Sequence, residues 1–318
     1  MSVLDKYSEK LLEKYTNDPQ GRYVSLLLVR RIESEAIFRT EGSGEALNKE
    51  FVHAGIADDQ LVRRVVISKR KQMAPERRTG RELLRRHDLL YPGEKSEALC
   101  ALNTNNPCGK CVDCMVYGYA AGGGGAQKSR VITDDAFSLH PAAMVTDVRT
   151  FNAPFEDGTP WNREEGTRMT GLGSDEYVKP EAVFVEMETL KDVTPAEFLY
   201  VLGNILRTTR YGAISSRVGK VKNILAGVAF SNCELFSNLE LTQTVYDRLK
   251  GEADELSFPL ENDVVLTAVQ ESAQTLSGNV VGQVAWMSSD EVAALIDELG
   301  ELYGDEATFA EQLQALEY

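Results

Sequence analysis

Cys100, Cys108, Cys111 and Cys114 are the residues whose type and spacing point most directly to chemistry. Cys108, Cys111 and Cys114 are each separated by two residues, and seven residues lie between Cys100 and Cys108. Zinc takes four soft ligands at tetrahedral corners, and a CxxC turn lets two thiolates face one ion. Gly109 relieves the tight turn beside Cys108. Three thiolates alone do not close such a site. Cys100 is the nearest fourth ligand, with His87 and then His140 as alternatives. Four protein ligands would leave no open position, so the Zn2+ would be structural. An iron–sulfur cluster fits less well, because its usual fourth cysteine lies beyond the triplet. Reduced thiols in a loop are the plain alternative. The chain has five cysteines, and an odd number with three packed together argues against a disulfide framework.

Two further stretches are suited to a polyanion. Tyr211-Gly-Ala-Ile-Ser-Ser-Arg-Val-Gly-Lys220, followed by Lys222, combines small residues, hydroxyls and cations, as phosphate oxygens require. It lacks the spacing of a P-loop, and a basic strand turn is its bland reading. The second runs from Ser68-Lys-Arg-Lys71 through Arg77, Arg78, Arg81, Arg85 and Arg86. On a helix, Arg77, Arg81 and Arg85 share one face and make a basic ridge, or merely a solvated face. Asp134-Asp135 is a candidate Mg2+ pair for nuclease chemistry, or a turn or helix cap. His53, His87 and His140 form no spaced set. Phe151, Phe155 and Trp161 sit in a Pro- and Gly-rich arm, where they either wedge against bases or pack the arm onto a core.

These candidates need a scaffold. With 43% apolar residues the chain can bury a core. It begins without the apolar stretch of a secretory signal and contains no run of the ~20 apolar residues a membrane span needs, so a cytoplasmic protein without membrane contact is expected. The net charge of −15 would disfavour nucleic acid if spread evenly. It is segregated instead. Residues 251–318 hold 15 acidic and no basic side chains, which leaves residues 1–250 neutral with 34 of each sign. Residues 61–90 hold ten basic against three acidic side chains, and local potential is what a polyanion meets.

Periodicity predicts a helix over 3–15, strands over 23–32 and 62–68, and a helix over 79–90. It also predicts strands over 128–133, 182–188 and within 218–230. Thr194-Pro195-Ala196-Glu197 is a capping box that starts a helix. Residues 239–250, 263–275, 289–299 and 305–316 read as helices. The order suggests an open antiparallel sheet with helices on one face, carrying insertions.

Three segments taken together carry a resemblance. They are Pro107-Cys-Gly-Lys-Cys-Val-Asp-Cys-Met-Val-Tyr-Gly118, Lys128-Ser-Arg-Val-Ile-Thr-Asp-Asp135 and Arg210-Tyr-Gly-Ala-Ile-Ser-Ser-Arg217. The chain resembles, over about residues 18–250, the backbone subunit of type I-D CRISPR Cascade complexes (Cas7/Csc2-type, RAMP superfamily). The resemblance implies an α+β fold. An RRM/ferredoxin-like palm (18–70 plus 182–250) would carry a basic and zinc-binding insertion (71–146) and a thumb (147–181). The acidic helical tail (251–318) matches no motif. CRISPR RNA would be held by Arg22, Lys69, Arg70, Lys71, Ser129, Arg130, Tyr211, Ser215, Ser216, Arg217, Lys220 and Lys222. The thumb would present Phe151, Phe155, Trp161, Arg168 and Met169. Implied partners are further copies of the chain, a Cas5-type cap, a large subunit, and target DNA reached through the guide. RNA-cleaving relatives place an Asp in the loop after the first strand. Here that loop reads Arg39-Thr-Glu-Gly-Ser-Gly-Glu45, which disfavours cleavage and leaves Glu41 with Asp134 and Asp135 as weak catalytic candidates for the alternative, a nuclease cutting the target strand at regular intervals.

Overall fold

The apolar run Tyr23–Ile32 is strand β1 of the computed structural model, which describes residues 2–39, 47–93, 95–122, 125–151, 155–156, 158–159, 161–162, 164–168, 173–213 and 218–318. A 3-10 helix over Val3–Lys10 precedes it. The expected helix over 3–15 stops early because the chain extends at Leu11, and the Leu12 amide is taken by the Val193 carbonyl at 2.9 Å.

The hairpin β2 (Lys49–His53) and β3 (Leu61–Ile67) follows, then helix α1 (Lys69–Arg86). This helix begins ten residues before the predicted start and runs through Pro75. Its inner face buries Gln72, Pro75, Glu76, Leu83 and Leu84, and that packing outweighs the proline's cost. Next come α2 (Val112–Tyr117), the small hairpin β4 (Tyr119–Ala120) and β5 (Ala126–Gln127), and strands β6 (Val131–Thr133) and β7 (Ala136–Ser138). A short helix α3 (Ala142–Val145) leads into the arm. There β8 (Thr146–Phe151) pairs with β11 (Gly173–Val178) outside the main sheet, around a tip with β9 (Trp161–Asn162) and β10 (Thr167–Arg168).

Strand β12 (Val183–Lys191) returns to the main sheet, followed by α4 (Pro195–Arg207), β13 (Arg210–Tyr211) and β14 (Gly219–Ser231). Thr194 and Glu197 close the predicted capping box at the start of α4. The chain ends with α5 (Asn238–Lys250), α6 (Asn262–Ser277), β15 (Val284–Trp286), α7 (Ser289–Gly304) and α8 (Glu306–Gln314).

The main sheet runs β13-β14-β1-β12-β7-β3-β2, with β15 added to β14 and β6 to β12. Its ladders are antiparallel. Helices cover both faces, not one as the sequence suggested. One core joins the sheet to α1, α2, α4, α7 and α8, and the other joins it to α5 and α6. Burial on both faces is what allows β1 to be a near-continuous apolar strand. Glycine permits close packing here: a Cβ on Gly80 of α1 would meet the Asn204 side chain of α4 at 2.3 Å.

Residues 251–318 are not an appended tail. Strand β15 pairs with β14, while Val292, Leu295, Leu299 and Phe309 enter the core under α1 and α4. Their helical spacing makes an apolar stripe, and the acidic side chains occupy the opposite faces. Several carboxylates pair within the chain, Glu306 with Arg86 and Arg207, and Glu291 with Lys6.

Candidate metal centre and basic groove

The four candidate cysteines come together. The sulfurs of Cys100, Cys108, Cys111 and Cys114 all lie within 4.8 Å of one another, and all four residues are buried. Cys111 caps α2, and its sulfur accepts the Cys114 amide at 3.4 Å; the Cys108 sulfur likewise accepts the Cys111 amide at 3.3 Å. These N–H···S bonds point the thiolates inward and offset their charge. The Cys100–Cys114 and Cys108–Cys114 sulfur distances are 3.4 and 3.9 Å. Thiolates bound tetrahedrally to zinc stand ~3.8 Å apart, given Zn–S bonds of ~2.3 Å. The donor set and its spacing therefore fit one Zn2+ ion with no open position. Gly109 holds φ +62°, and a Cβ there would meet the Tyr119 hydroxyl at 2.8 Å.

Cys100, not a histidine, completes the set. The His140 ring is turned to the Ser257 carbonyl at 2.8 Å, and His87 faces Glu306. Cys100 is also held from behind. The Arg81 guanidinium lies 3.7 Å from its sulfur and bonds its carbonyl. Arg81 and Arg77 both grip Asp113 of α2, each with a 2.8 Å contact. The cysteine knuckle is thereby bolted to α1.

This corrects the expected basic ridge. Arg81 is only 3% exposed, and Arg77 is committed to Asp113. Four other cations of α1 line an open groove of about 780 Å3, with Glu82 as a carboxylate among them. Arg70, Lys71, Arg78 and Arg85 lie on the α1 side, with apolar lining from Met73, Ala74 and Pro75. Ala101, Leu102 and Asn103 of the knuckle loop face them, and Gly212 closes one end. Among the described residues, Lys71, Arg78 and Arg85 have no ion-pair partner.

Other expected contacts are dispersed. Arg130 is 8% exposed and paired with Glu197. Tyr211 is buried; its hydroxyl donates to Glu76 at 2.9 Å and accepts from Arg30 at 2.8 Å. This corrects their expected role in holding RNA, since a side chain spent inside the core offers nothing to a ligand. The Arg22 guanidinium bonds the Leu11 carbonyl, and the Ser129 hydroxyl closes a turn onto Val131. Lys220 pairs with Glu33, while Lys222 is exposed opposite Arg31 in the β1–β14 register. The neighbouring Asn223 bonds Arg30 on the α1 side, so strand alternation puts Lys222 on the other face, away from the groove. The Lys69 amide donates to Asp135 at 3.0 Å, so Asp135 caps α1, and the Asp134 carbonyl accepts from Gln72. Trp161 is exposed and Phe155 half-buried. Glu41, Met169, Ser215, Ser216 and Arg217 lie outside the described residues, as do the side chains of Phe151 and Arg168.

The profile of the Csc2 CRISPR family matches residues 10–313 of this fold. The chain belongs to the Csc2 CRISPR family. The crystal structure of Csc2 from Thermofilum pendens is similar over 100% of both chains, with a TM-score of 0.62 at 19% identity. A chain of a type IV-B CRISPR complex is similar over 64% of this chain and 90% of its own, with a TM-score of 0.43 at 14% identity. No curated protein matches the chain. No helix among the described residues is long and apolar enough to cross a membrane.

Behind the groove, this Csc2-family protein carries a buried charge cluster that sequence reasoning missed. Arg30 of β1 has 0% exposure and contacts Glu76 of α1 at 2.8 Å and Glu186 of β12. Glu188 of β12 lies 3.8 Å away. Burial works against the charge of Arg30, yet Glu186, Tyr211 and Glu76 hold it protonated. Burial also pushes the Glu76 carboxyl up to about 6, against the pull of Arg30. It raises Glu188 well above the carboxylate range, with Glu76 and Glu186 adding repulsion. The only sequence signal was polar residues inside an apolar strand run, at Arg30, Glu186 and Glu188.

Among the described residues, neither oxygen of Glu188 has a hydrogen-bond partner. A carboxyl with a raised folded-state pKa contributes stability below its unfolded pKa and loses it as pH rises through the folded value. Glu188→Gln is neutral at every pH. It is expected to match the native protein near pH 4.5 and to exceed it at pH 8 by on the order of 1 kcal/mol. Urea unfolding at the two pH values checks this; equal stability of native and variant protein at pH 8 would count against an uncompensated charge.

Proposed function

We propose that the chain is a CRISPR RNA-binding backbone subunit of a type I-D interference complex, polymerising along the guide. The observation that carries this reading is the groove in which Lys71, Arg78 and Arg85 have no ion-pair partner among the described residues. A single strand needs positive charge at phosphate spacing together with apolar surface for sugar and base, and Met73, Ala74 and Pro75 supply the latter. Membership in the Csc2 family supports the CRISPR setting. The order β14-β1-β12, with α1 and α4 on one face, is compatible with an RRM-like palm.

In this reading the paired arm β8–β11 acts as the thumb, the Zn2+ knuckle orders the groove, and guide pairing recognises target DNA in the cytoplasm. Further copies, a Cas5-type cap and a large subunit complete the complex. The protein binds without cutting. Asp135 is engaged at the start of α1, which leaves it poorly placed for metal-assisted hydrolysis.

The test is fluorescence anisotropy with a labelled guide RNA, for native protein and for the triple variant Lys71→Ala, Arg78→Ala, Arg85→Ala. Each phosphate contact to a single strand contributes ~0.7 to the slope of log K against log salt. The variant should bind at least ~10-fold more weakly at 0.1 M salt, with a slope shallower by ~2. Unchanged affinity and slope would remove the groove from RNA binding. RNA cut in Mg2+ by the native protein but not by Asp134→Ala or Asp135→Ala would favour a nuclease.

A further inference from the structure

The groove has a second wall, and the metal knuckle builds it. The loop 101–107 is bracketed by Cys100 and Cys108, so both its ends are fixed by candidate metal ligands. Ala101, Leu102 and Asn103 of this loop line the groove opposite α1. A second depression of about 210 Å3 continues along the same loop past Thr104 and Asn105, sharing Arg77 and Arg81 with the first. The concave surface therefore runs on from α1 across the knuckle.

Most polar side chains of the loop are used internally. The Thr104 hydroxyl bonds the Ala101 carbonyl at 2.9 Å. The Asn105 carboxamide accepts the Gly122 amide at 2.6 Å. Asn106 bonds the Lys95 amide, the Ser96 hydroxyl and the Ala98 carbonyl. Asn103 differs. It is exposed, and its side chain has no hydrogen-bond partner among the described residues. Its φ of +61° sets it at the turn of the loop, beside half-buried Leu102.

We infer that Leu102 and Asn103 form a nucleotide subsite for single-stranded RNA, separate from the phosphate contacts of α1. The inference rests on the groove reading above. A ribose with its base presents an apolar face together with hydroxyl and edge groups that both donate and accept. Leu102 supplies the apolar contact, and the Asn103 carboxamide can donate and accept at once. Anchoring between metal ligands gives this wall the rigidity that lowers the ordering cost of binding. The wall adds a donor and acceptor pair for a nucleotide where α1 adds charge and apolar surface.

The test uses full-length, zinc-loaded protein and the same labelled RNA. The double variant Leu102→Ala, Asn103→Gly keeps the left-handed backbone available at position 103. It is expected to bind about 10-fold more weakly, with zinc content and salt slope unchanged, because no phosphate contact is lost. Affinity within twofold of native would overturn the subsite. Hydrogen exchange on the native protein provides a second readout: RNA should slow exchange over residues 101–106, and no protection there would also overturn it. If the α1 triple variant loses affinity while this double variant does not, the groove reading stands and the second wall falls. If neither variant loses affinity, both fail.

Discussion

Arg30→Ala should destabilise the protein by roughly 3–5 kcal/mol at pH 7.5, the cost of leaving buried charges without their partner. Arg30 is the cation that Glu76, Glu186 and Glu188 share inside the core, and Tyr211 and Asn223 complete its contacts. The guanidinium joins β1, β12, β13, β14 and α1 at one point. Removing it leaves a cavity as well as mutual repulsion. A loss of this size approaches the whole margin of a typical domain, ~5–15 kcal/mol. The effect should shrink in acid. With the Glu76 carboxyl pushed up to about 6 and Glu188 raised as well, protons take over part of the arginine's role as pH falls through that range. Denaturant unfolding at pH 7.5 and pH 5 is the measurement. A destabilisation below ~1 kcal/mol at pH 7.5, or one that grows in acid, contradicts this picture of the cluster.

Cys111→Ser should abolish stoichiometric zinc and lower the thermal midpoint by more than ~5 °C, taking ~1.5 °C per kcal/mol from an unfolding entropy of ~2.1 cal/mol/K per residue. Structural zinc contributes an apparent ~10–16 kcal/mol in small domains, so even a fraction of that exceeds the expected threshold. Location magnifies the effect. The four cysteines belong to the same apolar cluster as Leu26 and Leu28 of β1, Phe198 of α4 and Phe309 of α8. Arg77 and Arg81 also tie the knuckle to α1 through Asp113. Losing the ion therefore disturbs the main core, and not only an insertion. Metal analysis together with thermal unfolding decides it. A variant that keeps one zinc per chain, or melts within 2 °C of native, would show that the knuckle is not a metal-held part of the core.

Local patterns were legible in the sequence because their physics is local. The CxxC spacing sets how thiolates face an ion, and the Cys100–Cys114 set assembled as read. The Thr194–Glu197 box closes on its own backbone. The apolar runs at Tyr23–Ile32 and within 218–230 became β1 and β14. The helices of 238–314 followed their apolar spacing. Segregated charge pointed to the basic stretch that became α1, and the combined motifs pointed to the family whose profile the chain matches.

The roles of individual cations were not legible, because residue type does not say what lies opposite. Arg77, Arg81 and Arg130 read as phosphate ligands and turned out to hold Asp113 and Glu197. Tyr211 read as an RNA contact and belongs to the Arg30 cluster. The acidic C-terminal stretch read as an appendage, yet β15, α7 and α8 complete the sheet and core. In each case a partner more than thirty residues away decided the outcome, through a register or a packing angle that no local window contains. The cysteine knuckle itself shows both sides. Its spacing determined that four thiolates would meet; only the tertiary structure placed them in the main core and set their loop as the far wall of the basic groove.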